Sequence, residues 1–96
     1  MKDLWKYANE VKIRVKKIKG VCSAGHNVGD EWIVQKTTPP NFCGSAYCTL
    51  YPDLRTLIFG GKLPWEKDGE INVTCSDSIN CVVFGLKVIK KEEVDC

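Results

Sequence analysis

The residues with most chemical reach in this chain are six cysteines, Cys22, Cys43, Cys48, Cys75, Cys81 and Cys96, and a single histidine, His26. Thiolate and imidazole suit zinc and iron alike, and a thiolate is also the nucleophile of redox and covalent catalysis. Spacing separates these options. The short intervals are Cys22-x3-His26, Cys43-x4-Cys48 and Cys75-x5-Cys81, none of them the C-x-x-C step of zinc ribbons or thioredoxin-like motifs. A C-x4-C step occurs in plant-type ferredoxins, but the C-x2-C that should follow is missing. Residues five apart on one helix project about 140° apart, so Cys43 and Cys48 address one site only if Cys43 precedes the helix. The Gly44-Ser45 step allows that. A thiol so placed lies near the positive end of the helix dipole, which favours the thiolate. Cys43 is thus the leading ligand or nucleophile, against the alternative of a small buried apolar side chain.

The remaining candidates carry their own alternatives. Cys75 and Cys81 bracket a hairpin loop, and direct pairing across it would suit a disulfide; in a reducing compartment both read as packing. His26, in "CSAGHNVGDEW", either hydrogen-bonds within its loop or to Asp30, or acts with Cys22 as ligand or general base. Asp30 and Glu31 directly precede a strand and read as loop termination. No G-x-S-x-G, P-loop, Rossmann glycine pattern or H-E-x-x-H is present, so no enzyme motif is recognised. Cys96 is terminal and takes no role.

Composition bounds the partners. The 96 residues make one domain, 1–96, with 1–10 an N-terminal extension and 92–96 a mobile tail. A net charge of +2 is too small to imply nucleic acid, and the lysines at 12, 16, 17, 19, 87, 90 and 91 alternate with apolar residues like a solvated strand face. The N-terminus carries Lys2, Asp3, Lys6 and Glu10 without an apolar run, and no segment approaches a membrane span of roughly 20 apolar residues. A cytoplasmic protein is expected, and structural disulfides are unfavoured there.

The elements that must position the thiols follow from periodicity. Residues 3–9 suggest a short helical turn capped by Asp3. Val11, Ile13 and Val15 alternate with Lys12, Arg14 and Lys16, a half-buried strand. "GVCSAGHNVGD" is a loop, and "EWIVQK" is a second strand with Trp32 and Val34 on one face. Ala46, Tyr47, Leu50, Tyr51, Leu54, Leu57 and Ile58 form the apolar stripe of a helix over 45–59, with Ser45 as cap and Gly60 as the left-handed residue beyond its end. Pro52 predicts a kink, or two short helices with Pro52 opening the second. "INVTC" and "CVVFGLKVIKK" are two strands joined by "SDSIN". The fold class is α+β: a small antiparallel sheet, in the order β-β-α-β-β, with one kinked helical segment packed on it.

The segments "VKIRVKKIKG-VC", "GHNVGDEW", "FCGSAYCTLYPDLRTLIFGGKLPWEKDG" and "VTCSDSINCVVFGLKVI" resemble a family of small uncharacterised prokaryotic proteins of similar length, over roughly residues 11–90. The resemblance implies cysteines shared at the positions of Cys22, Cys43 and Cys75. It also implies that Cys48 is unusual and that proline often replaces Cys81, which weakens both the Cys43/Cys48 pair and a Cys75–Cys81 disulfide. It implies no activity.

Three readings result. The leading one is a small intracellular protein binding zinc or an iron–sulfur cluster through converging Cys22, Cys43 and Cys75, with His26 or Cys48 as a fourth ligand. The second is a redox or nucleophilic enzyme using Cys43 or Cys22 with His26 as base. The third is a structural or protein-interaction module with buried cysteines, in which an exposed Trp5, Trp32 or Trp65 marks a partner or homodimer contact. A secreted domain with three disulfides ranks last.

Overall fold

The alternation of Val11, Ile13 and Val15 with charged residues becomes strand β1 (Glu10–Ile18), whose three apolar side chains are fully buried. The computed structural model describes residues 5, 8–22 and 24–89. Strands β2 (Glu31–Val34), β3 (Glu70–Thr74) and β4 (Val82–Ile89) complete one sheet in the spatial order β2-β1-β4-β3. Every neighbouring pair is antiparallel. Between β2 and β3 the chain forms a single helix, α1 (Gly44–Ile58). The α+β class predicted from periodicity is the one observed. The helical turn predicted over 3–9, the terminal lysines 90 and 91, the tail 92–96 and Cys96 lie largely or wholly outside the described residues.

Period-two patterning dictates which sheet face is covered. Val11, Ile13 and Val15 from β1, Val34 from β2, Ile71 from β3, and Val82, Phe84 and Leu86 from β4 are buried with Ala46, Leu50, Leu54, Leu57 and Ile58 of α1. The helix thus lies across one face of the sheet, and burial of this apolar area supplies the main stabilising term. The opposite face carries Arg14, Lys16, Asn72 and Lys87. There Arg14 and Lys12 pair loosely with Glu31, and Lys16 pairs with Glu70. These are partly exposed pairs of small energetic weight.

The helix departs from expectation at two points. It runs uninterrupted through Pro52 rather than splitting into two short helices. Proline removes one N–H, which orphans the carbonyl of Cys48 four residues earlier. Both Cys48 and Pro52 are exposed, so water can satisfy that carbonyl and the cost stays small enough for the apolar stripe to override. The cap residue is Cys43, not Ser45, and no side chain caps the helix start.

The C-terminal end is closed as predicted. Gly60 has φ +83°, the left-handed conformation that a Cβ disfavours. Its N–H reaches Leu57 O (3.2 Å) while the Gly61 N–H reaches Thr56 O (2.8 Å), the paired bonds of a Schellman ending. Asn9 adds two more, from its backbone N–H to Ile58 O (2.8 Å) and from Nδ2 to Leu57 O (3.1 Å).

Candidate thiol site

The other end of α1 is built differently. Strand β1 ends at Ile18 and its continuation carries Cys22, Cys43 immediately precedes α1, and Cys75 immediately follows β3. Antiparallel pairing puts the ends of β1 and β3 beside the start of β4. These junctions meet around a cavity of about 200 Å³, whose wall includes Cys22, His26, Cys43 and Cys75, with Val82 and Phe84 from β4. The structure therefore brings together the three thiols and the imidazole that the sequence singles out. Cys48, exposed on the helix, and Cys81 are not part of this wall.

His26 is the one buried polar side chain among the described residues, 6% exposed. Its ring stacks on Phe42 (5.5 Å between centroids) and meets the edge of Trp32 (4.8 Å). Nε2 accepts the backbone N–H of Cys43 at 3.1 Å. The partner is neither Asp30 nor a group of its own loop: the Asp30 carboxylate accepts the Asn27 N–H instead (2.8 Å). A ring that accepts at Nε2 carries its proton on Nδ1, so the lone pair a metal or a thiol proton would use is already engaged. Among the described residues no thiol hydrogen-bonds to His26. The histidine stitches its loop to Cys43, the residue that precedes α1.

Cys75 is held by backbone. Its N–H donates to Val82 O (3.0 Å), its Sγ accepts the Val82 N–H (3.3 Å), and Sγ lies 4.0 Å from the carbonyl of Asp77. This pairing sets Cys75 opposite Val82, not Cys81, and removes the cross-hairpin register that a Cys75–Cys81 disulfide would use. All five described cysteines are free thiols.

Two residues of the cavity wall, Asp77 and Asn80, escaped the sequence reading. Asp77 Oδ1 accepts the N–H groups of Ile79 (2.9 Å) and Asn80 (3.0 Å), and Asp77 Oδ2 accepts from Asn80 Nδ2 (3.2 Å). The Asn80 backbone N–H, then that of Ile79, then the Asn80 amide hold this carboxyl below the usual aspartate range. Asp followed by Asn in a hairpin loop is an Asx-turn signal, which could have marked them. Farther along α1, burial and then the neighbouring Tyr51 push the Tyr47 phenol up; Tyr47 packs beside Phe42 in the same aromatic cluster.

The thiols share a wall without being drawn into one coordination sphere: among the described residues, no three His, Cys, Asp or Glu side chains are grouped to hold a metal ion. Of the three tryptophans, Trp5 and Trp32 pack partly against the core and Trp65 is 59% exposed. No helix among the described residues is long and apolar enough to cross a membrane. No family model, curated protein or solved structure matches this chain.

Proposed function

We propose that this chain is a small cytoplasmic protein that binds one soft metal centre, zinc or the iron of a small cluster, through Cys22, Cys43 and Cys75. The observation that carries the reading is that three thiols from three separate junctions line one cavity. Soft thiolates select zinc, copper(I) and iron–sulfur groups over harder cations. The resemblance read from the sequence implies the same three positions.

The protein's contribution is positional and electrostatic. The Val82 N–H donates to the sulfur of Cys75, and the start of α1, lacking any acidic residue in its first turn, presents its positive end near Cys43. Both offset the negative charge that grouped thiolates accumulate. His26 serves as the positioner of Cys43 and not as a ligand, because its Nε2 is spent on the Cys43 N–H. A centre bound here supplies Lewis acidity or electron transfer, and three protein sulfurs leave it an exchangeable position, unlike the closed four-ligand sites of structural zinc. Binding has to gather the sulfurs. Cys22 lies on a loop outside any strand.

Elemental analysis of the full chain purified anaerobically tests the proposal. About one equivalent of zinc, or a defined iron and sulfide content, is the predicted result, lost on Cys22→Ser, Cys43→Ser or Cys75→Ser and retained on Cys48→Ser or Cys81→Ser. A metal-free protein whose cysteines resist alkylation refutes it. The enzymatic alternative has less support, since the only buried imidazole is engaged with an amide.

A further inference from the structure

Two loops carry Cys22 and Cys75 to the cavity, and the contacts between them converge on one side chain. Asn80 Oδ1 accepts the N–H of Val21, the residue before Cys22, at 3.2 Å. On its other side, Asn80 Nδ2 and the Asn80 N–H both donate to Asp77, two residues beyond Cys75. One amide group thus spans from the hairpin that carries Cys75 to the loop that carries Cys22. A further backbone bond joins the same segments, from the Lys19 N–H to Cys81 O (3.0 Å).

The residue opposite confirms how close this fit is. A Cβ built on Gly20 would lie 2.2 Å from Asn80 Oδ1, 3.1 Å from Asn80 Cγ and 3.3 Å from Asn80 Cα. The amide oxygen would have to move aside, which breaks its bond to Val21, and Asn80 Cα would remain a tight neighbour. Gly20 and Asn80 are a matched pair.

We infer that Asn80 is the positioning residue of the thiol site, fastening the Cys22 loop to the Cys75 hairpin through an amide that accepts from Val21 and donates to Asp77. This deepens the three-thiol reading and rests on it. Asparagine suits the task because it carries a donor and an acceptor on one short, flat group. Alanine supplies neither, and aspartate could not donate to Asp77 and would set two carboxylates side by side. Asn80 lies outside the apolar core, so its loss frees Cys22 without dissolving the sheet.

The test uses the reduced full chain in wild-type, Asn80→Ala and Gly20→Ala forms. Gly20→Ala displaces the amide without removing it. Each is titrated anaerobically with cobalt(II), whose sulfur-to-metal charge-transfer absorption grows with the number of thiolates bound. In parallel, alkylation of each cysteine is timed and mapped by mass spectrometry. Losing the bond from Val21 to the Asn80 amide, common to both variants, predicts Cys22 alkylation faster by about tenfold, with Cys43 and Cys75 little changed. Cobalt affinity should weaken by a similar factor, and the band should fall toward that of two sulfurs, while circular dichroism keeps the wild-type form. Unchanged Cys22 reactivity in a folded Asn80→Ala protein overturns the inference. Equal acceleration at all three cysteines also overturns it, because that is general loosening. If wild type gives no sulfur band, the metal reading fails, and the alkylation rates still decide the role of Asn80.

Discussion

The two ends of α1 satisfy the same physical requirement in opposite ways. At the C-terminal end, Gly60, Gly61 and Asn9 between them supply four hydrogen bonds to the last carbonyls, and Trp5 packs on Phe59 at 5.0 Å. At the N-terminal end no side-chain oxygen caps the helix. A buried imidazole takes the Cys43 N–H, and the space where a cap would sit opens into a thiol-lined cavity. A serine or aspartate cap would typically contribute about 1 kcal/mol. That this end forgoes it, in a domain too small for a large stability margin, is the contrast between an end closed by hydrogen bonds and an end that opens on a thiol-lined cavity.

The comparison breaks most visibly at His26. His26→Ala removes the acceptor of the Cys43 N–H and leaves a void beside Phe42 and Trp32, a loss of about 2–4 kcal/mol in chemical unfolding. Metal binding should fall with it, and His26→Gln, which keeps an acceptor, should recover part of both. Next, Gly60→Ala forces a Cβ into the left-handed region and should cost about 1–2 kcal/mol. Asn9→Ala, losing the Nδ2 bond to Leu57 O, should cost about 1 kcal/mol. Neither far-end change should alter metal affinity or cysteine reactivity, and a clear effect on either would erase the distinction between the ends. Smallest of all, Cys48→Ser on the exposed helix surface should stay within about 0.5 kcal/mol of wild type and leave metal content unchanged.

How far the sequence reaches also differs between the two ends. The sheet face was readable because Val11, Ile13 and Val15 alternate with charges, and the Gly60 ending because a left-handed residue after an apolar stripe has few alternatives. Pro52 does not divide the helix in two, because its cost depends on which carbonyl it orphans. The exposure of Cys48 that makes the cost tolerable is a tertiary fact. The loop over 19–30 has no periodicity, so nothing local could tell that His26 would accept the N–H of Cys43, seventeen residues later, just before the helix. That Cys22, Cys43 and Cys75 each sit at a junction was visible, and antiparallel pairing of β1 and β3 with β4 brings two of those junctions together. The Asx turn at Asp77 left a signal in "SDSIN". Its reach to Val21 did not, because it depends on the packing of two loops.

The central claim concerns the donor set, and X-ray absorption at the metal edge of the zinc-loaded full chain tests it most directly. The account predicts three sulfur neighbours at about 2.3 Å with no imidazole nitrogen, the sulfur count dropping to two in Cys22→Ser. A nitrogen that disappears in His26→Gln, a fourth sulfur that disappears in Cys48→Ser or Cys81→Ser, or a shell of oxygen alone would contradict it.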